Sequence, residues 1–261
     1  MLNAVGFADQ THNTMQNYEH IELSEEEVAE ALRQARKAKH FREQELRYQE
    51  ALNRKPEYPK LTARELYQLA MQQARQQIPA FRVDDGNREI VRLLALYFAG
   101  DPAFEEGDYR LNKGILLLGP VGCGKTSLMR AFALNSHNAF AVVSCRRVSD
   151  DYSTHGAEAL KVYSALKPVY PHQYFGQAGI GYCFDDLGTE SSRKHYGNEM
   201  NVMADIILNR YEQLSLKGKT HFTANLDAEQ IGEQYGSRVR SRLREMCNVI
   251  AFDGGAADRR G

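Results

Sequence analysis

The stretch Gly119-Pro120-Val121-Gly122-Cys123-Gly124-Lys125-Thr126 constrains this chain more than any other. It fits G-x-x-x-x-G-K-[ST], follows the apolar run Ile115-Leu116-Leu117-Leu118 and precedes a helical pattern. At average residue usage, four fixed positions recur by chance in about one sequence of this length in a hundred, before the flanks are counted. The glycines let the backbone turn tightly and aim successive N–H groups at one point. A helix opening near Lys125 adds the positive end of its dipole. Such a loop binds a polyphosphate. Lys125 is expected to reach the β- and γ-phosphates, the Thr126 hydroxyl to sit on Mg²⁺, and Ser127 to complete the phosphate-binding set.

A second stretch supplies the partner such a loop requires. Gly181-Tyr182-Cys183-Phe184-Asp185-Asp186 reads as an apolar strand ending in two carboxylates. In an open parallel sheet ligands sit at the carboxyl ends of strands, so a carboxylate there lands beside a metal held by Thr126. Asp185 is expected to hold Mg²⁺, directly or through water, and Asp186 to orient or deprotonate an attacking water. Thr220 to Ala224 forms another strand, and Asn225 at its end is placed near a γ-phosphate, where an amide positions water; capping the helix that starts near Asp227 is its alternative role.

The rest of the chain frames these stretches. Residues 1–23 read as a loose polar arm. Ser24 with Glu27 forms a capping box opening a charged helix to about Arg54, and Thr62 with Glu65 opens a second helix. Residues 24–84 are therefore expected to be a helical extension, either a partner-binding arm or a hairpin packed on its own core domain, with residues 85–261 as the main domain. Ile90, Val91, Leu93, Leu94, Tyr97 and Phe98 give the next helix a broad apolar face. Further strands are expected over Ala139–Cys145 and Asn248–Phe252, and helices over Ala157–Leu166 and Glu199–Leu214.

Between residues 146 and 178, basic and aromatic residues interleave. This suits a surface where bases stack on tyrosine while Lys and Arg meet phosphates, and equally an ordinary half-buried helical region. Farther on, Arg238 and Arg242 share one helical face and Arg240 and Arg244 another. A solvated basic face and a set of transition-state arginines fit that spacing equally.

Composition excludes several classes. Thirty-three basic against 34 acidic residues leave a net charge of −1, so any nucleic-acid surface must be local. No apolar run approaches a membrane span of roughly 18 residues, and the amino terminus lacks a basic segment followed by an apolar one; a cytoplasmic protein is expected. The four cysteines are far apart and read as buried thiols. A GTPase lacks support because no N-K-x-D motif is present, and a small-molecule kinase would call for a basic substrate lid.

With the phosphate loop, Asp185-Asp186-Leu187-Gly188, Thr223-Ala224-Asn225-Leu226 and Arg238-x-x-Ser241-Arg242 in order, the chain resembles the DnaC-type helicase-loader ATPases of the AAA+ superfamily, and IstB-type transposition helpers almost as well. The resemblance covers roughly residues 85–260. It implies an α/β P-loop NTPase with a five-stranded parallel sheet flanked by helices, and ATP with Mg²⁺ as cofactors. Lys125 and Thr126 become Walker A residues, Asp185 and Asp186 Walker B, and Asn225 the first sensor. Arg242, with Arg238 beside it, becomes the finger acting on ATP of an adjacent subunit in a ring or spiral. A replicative helicase, or a transposase, is the implied protein partner. Single-stranded DNA is implied at Arg146, Arg147, Tyr152, Tyr163 and Lys167. Two departures stand out. The second Walker B acid is Asp rather than the Glu common in AAA+ proteins, and no full helical lid follows the last strand, leaving Arg259 or Arg260 as substitutes for a second sensor.

Overall fold

The computed structural model describes residues 21–53, 57–190, 193–195, 198–253 and 259. The chain divides into two compact units, Met1–Pro56 and Glu57–Gly261. In the first, helix α1 (Glu25–Asn53) opens on its capping box: Glu27 Oε2 accepts from the Ser24 N–H at 2.9 Å, and Ser24 Oγ accepts from the Glu27 N–H at 3.4 Å. Every side chain from Ile21 to Arg47 is exposed, as a thin apolar stripe among charges implies. Residues 1–20 of the expected arm lie outside the described residues.

The second unit begins before the expected boundary at residue 84. Helix α2 (Ala63–Gln77), capped by Thr62 and Glu65, buries Leu66, Ala70, Met71 and Ala74. These positions form one helical stripe, and they join the core under helix α3 (Arg88–Ala99) and helix α4 (Lys125–Phe132). Apolar burial therefore ties α2 to the domain with which the sequence did not group it. All six apolar residues expected on α3 are buried.

Strands β1 (Gly114–Leu118) and β2 (Phe140–Ser144) flank α4 in the chain. Cys145, expected to close the second strand, instead starts helix α5 (Cys145–His155), because Ser144 Oγ accepts from the Arg147 N–H and caps it. Helix α6 (Ala157–Tyr163) is shorter than expected and leads through β3 (Lys167–Pro168) into β4 (Gly179–Leu187). A hairpin of β5 (Arg193–His195) and β6 (Asn198–Met200) takes the place of the first turn of the expected helix. That helix, α7 (Val202–Glu212), starts where Asn201 Oδ1 accepts from the Ala204 N–H; Leu214 lies beyond its end and is exposed. Strand β7 (Thr220–Ala224), helix α8 (Ala228–Met246) and strand β8 (Cys247–Ala251) follow. Gly236, at φ 85°, divides α8 into two segments.

Five strands run parallel in the order β2-β4-β7-β1-β8, and β3 adds antiparallel to the start of β4. Alternate residues of β1 face opposite layers. Ile115 and Leu117 pack with α2, α3 and α4, while Leu116 packs with α5, α7 and α8. The sheet is thus buried on both faces, which brings the carboxyl ends of β1, β4 and β7 side by side.

Candidate functional site

The loop after β1 takes its shape from two constraints. Gly124 at the start of α4 has φ 101°, a left-handed conformation suited to glycine. At Gly119 a Cβ would stand 2.8 Å from Phe252 Cβ, so that position admits no side chain. The loop and the first turn of α4 border a cleft lined by Gly122, Gly124, Lys125, Thr126, Ser127, Asp186, Asn225 and Arg259, together with Ile78 and Phe81. Cys123 is buried beneath it, and Val121 is exposed at the loop tip.

Two side-chain links join the three strand ends. Lys125, 5% exposed, donates from Nζ to the carbonyls of Gly119 (2.8 Å) and Pro120 (2.9 Å) and to Asn225 Oδ1 (2.7 Å) at the end of β7. Thr126 Oγ1 donates to Asp185 Oδ1 at 2.9 Å, and Thr223 Oγ1 donates to the same oxygen at 2.6 Å. The Asp186 N–H in turn donates to Thr223 Oγ1 at 2.9 Å. The register of β4 against β7 shifts between Phe184 and Leu187, and Asp186 sits at φ 57°. This irregularity separates two consecutive carboxylates: Asp185 stays buried against Thr126 and Thr223, and Asp186 borders the cleft.

The donor set suits a hard cation held partly by phosphate. A threonine hydroxyl and one or two carboxylates are oxygen ligands of the type Mg²⁺ takes alongside substrate phosphates. Among the described residues there is no group of three or more His, Cys, Asp or Glu placed to hold a metal alone. Lys125, Thr126, Asp185, Asp186 and Asn225, which lie as much as a hundred residues apart in sequence, are brought together.

Arg238 and Arg242 are placed elsewhere. Arg242 stacks over the Tyr211 ring, with its guanidinium carbon 4.3 Å from the centroid, and Nη1 donates to Tyr211 Oη (3.0 Å) and Glu245 Oε2 (3.1 Å). Arg238, largely exposed, lies 3.9 Å from Glu212. Both belong to the second segment of α8, which leads into Cys247, the register partner of Gly114 at the start of β1. Neither lines the cleft at the phosphate loop, and Tyr211 and Glu245, the partners of Arg242, border a separate cleft with Lys113 and Thr220 at the entrances of β1 and β7.

The interleaved segment needs a correction. Tyr152 and Tyr163 are buried, 7% and 9% exposed, in the core layer between α5, α6 and the sheet, so neither offers a ring face to a base. Tyr163 Oη donates to Asp151 Oδ2, which leaves that carboxylate shared with Arg147 Nε at 2.9 Å. Burial raises the Tyr163 hydroxyl pKa. Arg146, Arg147 and Lys167 are exposed, and the aromatic presented here is Tyr170, 71% exposed.

Thr223 and Glu190 carry no role in the sequence reading, and Arg259 enters it only as a substitute second sensor. Thr223 links the Asp185 carboxylate to the Asp186 N–H, and its strand alternation gives no sign of that. Glu190, two residues past Gly188, accepts from the Gly188 N–H at 3.0 Å and from Tyr235 Oη of α8; burial raises its pKa. Arg259 reaches back to the loop: its N–H donates to Gly122 O, Nη1 donates to Cys123 O, and Nη2 pairs with Asp84 at 2.7 Å. That ion pair, a charge-assisted hydrogen bond, lowers the Asp84 pKa. Arg260 lies outside the described residues.

Residues 115–168, from β1 to β3, match the family model described as "ATPase family associated with various cellular activities (AAA)". Over those residues the chain is similar to this ATPase family. No helix among the described residues is long and apolar enough to cross a membrane. No curated protein matches the chain in sequence. Among solved structures, the AMPPCP-bound DnaA of Aquifex aeolicus is similar at 15% identity and a TM-score of 0.43, over 74% of this chain and 50% of that one. A DNA replication initiation factor is similar at 16% identity and a TM-score of 0.44, over 66% and 47%. The chain thus spans about half the length of each.

Proposed function

We propose that this AAA+-like domain binds and hydrolyses Mg²⁺-ATP as the switch of a DnaC-like helicase loader, which oligomerises on DNA and delivers a replicative helicase. The observation that carries the hydrolytic part is the pair of links at the strand ends, Lys125 to Asn225 and Thr126 to Asp185 to Thr223. Each joins groups whose chemistry matches one part of a nucleotide triphosphate.

The loop N–H groups and the α4 terminus bind the phosphates. Lys125 Nζ exchanges carbonyl acceptors for β- and γ-phosphate oxygens and keeps Asn225 within reach of the same phosphate. Thr126 and Asp185 hold the metal, which neutralises charge developing on the phosphates. Thr223 fixes the Asp185 carboxylate in place, and Asp186, turned into the cleft, orients the attacking water with Asn225. A γ-phosphate present or absent therefore changes hydrogen bonds on β7 and β4 directly.

The trans action of Arg242 is supported by its contacts with Tyr211 and Glu245, outside the cleft bordered by its own phosphate loop. Mixing Arg242→Ala chains with Lys125→Ala chains tests this: mixed interfaces pair an intact loop with an intact arginine, so ATP turnover is expected to exceed that of either variant alone. No rescue at any ratio rejects the trans role. For the loader reading, single-stranded DNA is expected to raise ATP turnover, and the full chain is expected to retain a hexameric replicative helicase in a pull-down. Absence of both rejects it.

A further inference from the structure

Helix α1 carries a charge pattern that its own helix does not use. From Ile21 to Leu32 there are five glutamates and no lysine or arginine; from Arg33 to Arg42 there are five lysines and arginines and no acid. The helix dipole accounts for Glu25, Glu26 and Glu27 in the first turn. It does not account for a basic block in the middle of a 29-residue helix whose last turn has no basic residue. The ion pairs within the helix, Glu30 with Arg33 at 3.8 Å and Lys39 with Glu43 at 3.9 Å, sit at the edges of the basic block and are exposed. Pairs of that kind contribute little.

An apolar stripe runs through both blocks. Val28, Leu32, Ala35 and Leu46 fall on one side of the helical wheel, and Val28, Leu32 and Leu46 are 41%, 50% and 62% exposed. Ala31 and Ala38 border the stripe and are small enough for another helix to approach closely. Glu25 and Arg36 line one edge of the stripe, and Lys39 falls within it.

We propose that α1 docks on α1 of a second copy of this chain as an antiparallel pair centred near Leu32. The blocks span residues 22–30 and 33–42, so the point midway between them falls at about residue 32. Antiparallel pairing about that point lays each acidic block on the partner's basic block and brings Glu25 alongside Arg36 and Lys39. Parallel pairing superimposes like charges along the whole region. Because the stripe is thin and the charges are exposed, the pair is reversible and weakens with salt.

Single cysteines in the full-length chain test the geometry against a low background, since the four native cysteines are buried. Leu32→Cys is expected to form a disulfide-linked dimer. Val28→Cys alone is not, because antiparallel pairing holds the two copies of residue 28 roughly 12 Å apart along the axis. An equal mixture of Val28→Cys and Ala35→Cys is expected to give a mixed dimer. Equal self-cross-linking at 28 and 32 means a parallel pair and overturns the proposal. So does the absence of a Leu32→Cys dimer, the outcome if α1 engages a different protein.

Charge reversal supplies the second arm. Arg33→Glu, Arg36→Glu and Lys37→Glu together are expected to lower Leu32→Cys cross-linking by at least about tenfold. Adding Glu26→Lys, Glu27→Lys and Glu30→Lys to the same chain is expected to restore it, with helix content checked by circular dichroism in both. Cross-linking indifferent to the reversal, or not restored by the swap, overturns the proposal.

Discussion

The two ends of the parallel sheet use buried polar side chains in different proportions. At the carboxyl end, beside the two Lys125 bonds to loop carbonyls, links run from side chain to side chain: Lys125 to Asn225, Thr126 to Asp185, Thr223 to Asp185. At the amino end most run from side chain to backbone carbonyl, with Arg210 Nε also donating to Thr220 Oγ1. Arg210 donates to the carbonyls of Tyr163, Ala165 and Lys219, Tyr97 Oη to those of Lys113 and Gly218, and Asn248 Nδ2 to those of Arg110 and Gly114. Carbonyls at strand entrances are permanent acceptors, and a buried side chain that satisfies them is part of the scaffold. Side chains that satisfy each other can exchange partners for a ligand. The contrast separates groups that hold the sheet from groups proposed to act on phosphate.

That separation can be broken by substitution. The largest expected effect is Arg210→Ala, which takes the guanidinium donors from the Tyr163 and Ala165 carbonyls and from Thr220 Oγ1, and removes a guanidinium packed on Tyr182 and Phe184. A loss of about 3–5 kcal/mol is expected in denaturant unfolding. At the other end, Lys125→Ala is expected to lower ATP turnover by at least about a hundredfold while changing stability by less than about 1 kcal/mol. If Lys125→Ala unfolds the domain instead, the contrast between the ends is lost. Asn225→Ala is expected to cost about tenfold in turnover with KM little changed, a split that separates water positioning from phosphate binding.

A smaller effect follows from His221, which accepts the Ile115 N–H at 3.1 Å within the core. Burial pushes its pKa down from 6.5 to about 3. A depressed folded pKa gives stability that is present above 6.5 and lost as pH falls toward 3, so about 1 kcal/mol should disappear between pH 7 and pH 5.5. Unfolding midpoints measured across that range check the slope, and His221→Asn, which keeps an acceptor for Ile115, is expected to flatten it.

Legibility in the sequence followed the same division. Residues 119–126 are readable as a strand-to-helix loop because the constraint is local: the glycines and Lys125 lie within a short run of chain. Asp185 and Asn225 were readable as polar residues closing apolar strands. Thr223 was not, because a threonine inside a strand looks like any other β-branched residue until its neighbour across the sheet is known. Tyr152 and Tyr163 were misread because composition reports that aromatics are present and not which helical face carries them; with α5 starting at Cys145, both fall on the inward side. Helix α2 was grouped with α1 on charge, while its four-residue apolar stripe decided its place.

The central claim is that Thr126, Asp185 and the loop form one site for a nucleotide and its metal. Equilibrium titration of ATP into the wild-type chain and into Asp185→Asn, each with and without Mg²⁺, tests it most directly. Mg²⁺ is expected to tighten binding by at least about tenfold in the wild type and to have little effect in Asp185→Asn, whose affinity without metal stays near that of the wild type. Equal wild-type affinity with and without Mg²⁺, or metal-dependent tightening undiminished in Asp185→Asn, would contradict the assignment.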